Sequence, residues 1–132
     1  MAAAKLYECS GRATFPWRPA RFFTAEDFID FARNEEVYLA IHQGAIAGVA
    51  TLFRPLSFLH CLFVDPERRR AGIGRALLDH VRGIADAPLT LKVDAPNAAA
   101  IAFYERMGGV MMDGPDHSGV DEGVDWRRWR IG

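Results

Sequence analysis

Arg69-Arg70-Ala71-Gly72-Ile73-Gly74 stands between a strand-like run, Leu59-His60-Cys61-Leu62-Phe63-Val64, and a helix-like run from Arg75 to Ile84. A glycine-bearing turn therefore joins a strand directly to the amino end of a helix. The first-turn amides of a helix have no intrahelical acceptor, so a turn that aims several of them at one point can hold a pyrophosphate through backbone alone. Gly72 lets a ligand touch the main chain, and Gly74 keeps Cβ bulk out of its path. The plain alternative is an Asp65-Pro66 turn followed by an ordinary loop-helix junction, and the glycine spacing alone does not separate the two.

Other phosphate-binding turns fit less well. A P-loop needs lysine and then serine or threonine after its glycines, whereas Gly74 is followed by Arg75-Ala76. A dinucleotide fingerprint needs a third small residue where Leu77 stands, although Asp94 lies roughly where its acidic ribose partner belongs. Arg69, Arg70 and Arg75 can add charge-assisted contacts to a pyrophosphate or ribose phosphate, and each can equally be a solvated side chain.

The longer segment Val64-Asp65-Pro66-Glu67-Arg68-Arg69-Arg70-Ala71-Gly72-Ile73-Gly74-Arg75-Ala76-Leu77-Leu78 resembles the acetyl-CoA-binding segment of the GCN5-related N-acetyltransferase (GNAT) superfamily. The signature of that family, Arg or Gln, two residues, Gly, one residue, Gly or Ala, falls on Arg69, Gly72 and Gly74. A second stretch, Asn97-Ala98-Ala99-Ala100-Ile101-Ala102-Phe103-Tyr104-Glu105-Arg106-Met107-Gly108-Gly109, is similar to the asparagine-to-tyrosine helix of the same family. The two matches cover roughly the second half of the chain. The resemblance implies an α/β fold with a mixed, mostly antiparallel sheet packed by helices. It also implies a splay between the strand ending at Val64 and the one ending at Val93, with acetyl-CoA in the opening.

The resemblance further implies an acetyl-CoA-dependent N-acetyltransferase that moves acetyl directly to an amine of a small molecule or a protein. Peptide groups of Leu62, Phe63 and Val64 would contact acetyl and pantetheine, and the turn from Arg69 through Arg70, Ala71, Gly72, Ile73 and Gly74 to Arg75 would hold the pyrophosphate. Asn97 would cap its helix or touch the pantetheine arm. Tyr104, seven residues on and on the same helical side, is the candidate acid for the leaving thiolate, since a phenol is protonated at neutral pH. The competing reading of Tyr104 is a buried aromatic.

An imidazole accepts a proton near neutral pH, which makes His60 in the central strand the best base candidate. Glu35, Glu36, Asp116, His117, Asp121 and Glu122 remain open alternatives. Cys61 reads as a buried strand cysteine rather than a nucleophile. His42, His60, His80 and His117 form no metal-ligand spacing with Cys9 and Cys61, so no metal is expected.

The 132 residues suit one domain over 1–132, and 50% hydrophobic with 25% charged residues is ordinary globular composition. A net charge of -1 argues against a nucleic-acid-neutralising surface. The two unpaired cysteines and the lack of a leader-like or membrane-length apolar run give a cytoplasmic expectation with no membrane partner. Cys9 to Arg21 reads as a structured loop, and Thr24 as the cap of a helix ending near Asn34. Val37–His42 and Ala45–Phe53 read as a hairpin around Gln43-Gly44. Leu89–Val93 is a compact strand. Val110–Met112 and Asp125–Ile131 bracket a polar loop, Asp113 to Gly123.

Trp126, Trp129 and Ile131 among arginines allow a buried strand face, a dimer-pairing strand or an RNA-binding strip. Trp17, Phe22 and Phe23 are either acceptor wall or core. A noncatalytic acyl-CoA-binding regulatory or interaction module is the alternative function.

Overall fold

The computed structural model describes residues 2–69 and 71–132. Seven strands form one sheet in the order β1-β2-β3-β4-β7-β5, with β6 also paired to β7. The helices are α1 (Ala2–Thr14), α2 (Ala25–Ala32), α3 (Ile73–Ile84) and α4 (Ala98–Arg106). The strands are β1 (Glu36–His42), β2 (Ala45–Phe53), β3 (Phe58–Val64), β4 (Leu89–Asp94), β5 (Val110–Met111), β6 (Ser118–Asp121) and β7 (Val124–Ile131). Every pairing is antiparallel except β3 with β4, which share the single register pair Phe58↔Thr90. The mixed, mostly antiparallel, splayed sheet expected from the sequence is what the chain forms.

Local chemistry accounts for most of the elements. Gln43 and Gly44 both take positive φ, 52° and 79°, as a two-residue hairpin loop requires. Thr24 caps α2 by accepting the Asp27 N–H at 3.1 Å. Ile73, Leu77, Leu78 and Val81 form the buried stripe of α3, which packs on one face of the sheet with Ala50, Leu52 and Tyr104 of α4. On the opposite face, α1 and α2 bury Ala3, Ala4, Tyr7, Phe23 and Phe28 against Val49 and Cys61.

Three expectations need correction. The Cys9–Arg21 segment is not a loop throughout, because α1 continues through Gly11 to Thr14. Gly11 serves the packing: a Cβ there would lie 2.4 Å from the Phe23 ring, which is itself held among Tyr7, Phe15 and Phe63. The polar Asp113–Gly123 loop contains β6, which forms a hairpin with β7. Finally, β7 is not a free strand for dimer pairing, since β4 occupies one edge and β5 and β6 the other. Trp129 and Ile131 are buried there and serve the core, while Trp126 is half-buried with Lys92 over its ring at 4.3 Å.

The Gly11 contact yields a contrast with Gly83, which lies in α3 with open space around it. Gly83→Ala should raise stability by about 0.5–1 kcal/mol through helix propensity. Gly11→Ala has the same propensity gain but must displace the Phe23 ring, and should instead lower stability, by roughly 1–3 kcal/mol. Urea unfolding of the two variants checks the opposite signs.

Candidate active site

The site begins where β3 and β4 part. Beyond Phe58↔Thr90 the two strands share no register pair, and a cleft of about 530 Å³ opens between them. Leu62, Phe63 and Val64 line it from β3. The turn and the start of α3 bring Arg69, Gly72, Ile73, Gly74 and Arg75 to the same cleft, and Asn97 and Tyr104 border it from α4. His60 joins them from the middle of β3. Ala71 is exposed in the turn and does not border the cleft. Arg70 lies outside the described residues.

The two helix starts facing the cleft differ. Asn97 is buried and spends its side chain on α4, accepting the Ala100 N–H at 3.1 Å. Gly72, by contrast, begins α3 without a side-chain cap. Its φ of 74° is left-handed, a conformation that favours glycine, and among the described residues beyond its chain neighbours no atom lies within 4 Å of where its Cβ would be. The first-turn donors of α3 thus face an open, uncapped turn of the kind that suits a pyrophosphate. Gly74 sits deeper, its missing Cβ 3.5 Å from Val64 and 3.6 Å from Phe103.

Sequence reasoning missed one wall. Because α1 is helical to Thr14, Ser10, Thr14 and Phe15 reach the cleft as well. Ser10 donates from Oγ to the Val64 carbonyl at 3.0 Å, satisfying a peptide group at the end of the diverging strand. Arg69 donates to Thr14 Oγ1 at 2.6 Å and so ties the turn to α1. The signal was present in the spacing of Ala3, Ala4, Tyr7 and Ser10, but Gly11 and the prolines beyond it obscured the helix.

His60 owes its position to an irregularity in β3. Thr51 pairs with Cys61 and Leu52 with Leu59, which leaves His60 as the extra residue of a bulge. Its ring packs 4.2 Å from Phe31, centroid to centroid, and its Nδ1 lies 2.7 Å from Glu35 Oε2. Of the other candidate bases, Glu36 is bound to Arg54, Asp121 to Arg18 and Glu122 to Arg21. Arg54 and the Tyr38 hydroxyl hold the Glu36 carboxyl down at about 2. Neither Asp116 nor His117 borders the cleft.

Tyr104 is buried, and no hydrogen bond ties its hydroxyl to another described residue. Burial, and secondarily Cys61, raises its phenol above the ordinary tyrosine value, so it keeps its proton across the neutral range. Cys61 is buried too, 3.3 Å from Thr51 Oγ1, and its thiol is pushed up to about 12, chiefly by burial. That environment disfavours a nucleophilic thiolate.

At the cleft's β4 margin, Asp94 lines the opening and is held by an Arg18 fork, with two contacts of 2.8 Å, and by Trp17 Nε1 at 3.0 Å. Burial works to raise the Asp94 carboxyl, but Arg18 and Trp17 outweigh it and hold it below the usual aspartate value. A depressed carboxyl contributes its stabilisation above the unfolded value of about 3.9 and loses it as the pH falls through the folded value. These contacts also remove Asp94 as a ribose partner, the one feature that favoured a dinucleotide. Phe22 packs under Arg18 at 4.3 Å and Phe23 is buried, so both belong to the core side of this wall.

An open sheet split between parallel strands, with an uncapped glycine turn at the cleft, defines an acyl-CoA-type acyltransferase fold. The acetyltransferase (GNAT) family model matches residues 3–109, and the chain belongs to that family. It is 38% identical over 114 residues to the ribosomal protein bS18-alanine N-acetyltransferase of Escherichia coli K12, covering 77% of this chain and 70% of the relative. The crystal structure of the ribosomal-protein-S18-alanine N-acetyltransferase from Escherichia coli superposes with a TM-score of 0.65 at 27% identity, covering 82% of this chain and 76% of that one. The apo solution structure of YjaB from Escherichia coli shares the fold with a TM-score of 0.74 at 22% identity, over 97% and 87% of the two chains.

The two thiols should separate cleanly. Cys9 is exposed and Cys61 buried, so iodoacetamide at pH 8 should label Cys9 alone in the native protein and both after denaturation. Peptide mass spectrometry reads the result. Rapid native labelling of Cys61 would show a reactive thiolate instead.

Proposed function

We propose that this chain transfers acetyl from acetyl-CoA directly to a primary amine, with His60 as base and Tyr104 as acid. The observation that carries the reading is the convergence of an imidazole from β3 and a buried phenol from α4 on one cleft beside an uncapped helix start. Arg69, the turn through Gly72 to Gly74, and Arg75 would hold the pyrophosphate of acetyl-CoA. The peptide groups of Leu62, Phe63 and Val64 would meet its pantetheine and acetyl ends.

When bound, acetyl-CoA supplies a thioester whose C–S bond breaks as the C–N bond to the amine forms. His60 takes the amine proton at Nε2, and Tyr104 gives its phenolic proton to the departing sulfur. Solvent then deprotonates His60 and reprotonates Tyr104, so atoms and charge balance. The raised phenol suits this role because the desolvation that strengthens its O–H also destabilises a thiolate formed beside it. No residue has to be acylated, which agrees with the suppressed Cys61 thiol.

The chemistry requires the acceptor amine in its unprotonated form. The similarity to a ribosomal protein alanine N-acetyltransferase makes a peptide with an amino-terminal alanine the first acceptor to test. A lysine peptide with a blocked amino terminus and a small aliphatic amine complete the panel. Mass spectrometry of the acceptor with acetyl-CoA present should show one added acetyl group. Tight acetyl-CoA binding with no acetylation of any of the three would favour the noncatalytic CoA-binding module.

Tyr104→Phe should slow single-turnover transfer by about two to four powers of ten while acetyl-CoA affinity changes little. An unchanged transfer rate would remove Tyr104 as the acid. Gly72→Val should weaken acetyl-CoA binding more than tenfold by calorimetry, because the side chain meets the ligand's path and strains a left-handed residue. Circular dichroism establishes that the variant is folded, and parental affinity in the folded protein would rule out the turn as the pyrophosphate site.

A further inference from the structure

Glu35 sits in the turn between α2 and β1, where its amide donates to the Ala32 carbonyl at 3.1 Å. Its side chain points inward and is only 8% exposed. One carboxylate oxygen, Oε2, lies 2.7 Å from His60 Nδ1, and the other, Oε1, is buried with no partner among the described residues. A carboxylate is costly to bury unless its charge and lone pairs are engaged. Here its engagement is with a ring that borders the cleft from a strand bulge.

We infer that Glu35 is a positioning residue that fixes the tautomer and orientation of His60. A carboxylate has no proton to give, so the Nδ1 contact requires the proton on Nδ1, and the neutral ring then carries Nε2 bare. The bulge selects where the imidazole stands, Phe31 packs on its face, and Glu35 sets its rotation. The same carboxylate offsets the positive charge that the ring gains on accepting a proton at Nε2. Phe58 also packs beside the ring, with centroids 5.8 Å apart. Two aromatic rings and a buried acid therefore hold a histidine that exposed strand geometry alone would leave free to rotate.

The inference rests on His60 being the base, and the test keeps the two separable. Histidine-ring ¹⁵N NMR at alkaline pH, free of ligand, should show the Nδ1–H tautomer for His60 in the parent and a mixture with Nε2–H in Glu35→Ala. With the alanine-terminated peptide and acetyl-CoA, Glu35→Ala should lower kcat about a hundredfold. The acetyl-CoA KM should stay within about twofold, because Glu35 does not border the cleft. Glu35→Gln keeps the volume while removing the charge, so it reports on the same role if the alanine variant folds poorly. Its kcat should fall as well, and Glu35→Asp should recover part of the loss.

An Nε2–H tautomer in the parent protein would overturn the inference by itself. So would parental kcat in folded Glu35→Ala and Glu35→Gln when His60→Ala has lost activity. Full activity in His60→Ala would instead overturn the base assignment, and the catalytic meaning of Glu35 with it.

Discussion

The parting of β3 from β4 is the constraint on which the rest of this molecule depends. Parallel strands held by one register pair cannot satisfy the peptide groups that face the widening gap, and buried peptide groups left unpaired are expensive. The fold answers partly from within, as Ser10 of α1 donates to the Val64 carbonyl. The rest of the gap is a cleft rather than a filled core. The helix that follows β3 begins on an uncapped glycine at its rim, and the helix that follows β4 begins on a buried asparagine that caps itself. One departure from regular sheet pairing therefore creates the space, aligns the donors around it and brings two helices to its sides.

Holding such an opening apart requires ties at its margins. Arg69 joins the glycine turn to Thr14 at the end of α1. At the other margin, Arg18 binds Asp94 at the end of β4 and Asp121 at the end of β6, with Trp17 adding a third contact to Asp94. Arg18 is only 5% exposed, so this is a largely desolvated fork whose value is geometric as much as energetic. Between these ties stands the Tyr7, Phe15, Phe23 and Phe63 cluster, with Tyr7 and Phe63 stacked at 5.1 Å. The wall that α1 adds is thus anchored by rings on one side and by polar contacts on the other.

Features carried by local chemistry were legible in the sequence. The glycine turn, the Thr24 and Asn97 caps, the Gln43-Gly44 hairpin and the apolar stripe of α3 each depend on residues within a few positions of one another. What stayed hidden depends on distant partners. Gly11 reads as a helix breaker until Phe23 is seen against it. Ser118 to Asp121 reads as polar loop because β6 is short and gains its definition from pairing with β7. Asp94 resembled a ribose ligand until Arg18, 76 residues away, was found on it. Glu35 and His60 were each candidates for a base, but their 25-residue separation concealed that they meet.

Whether acetyl-CoA lies between β3 and β4 is tested most directly by residue-resolved amide NMR during an acetyl-CoA titration. Saturable shifts should be largest at Phe63, Val64, Ile73 and Gly74, with smaller changes along the first turn of α4. No saturable shift, or shifts confined to the β1–β2 hairpin, would contradict it.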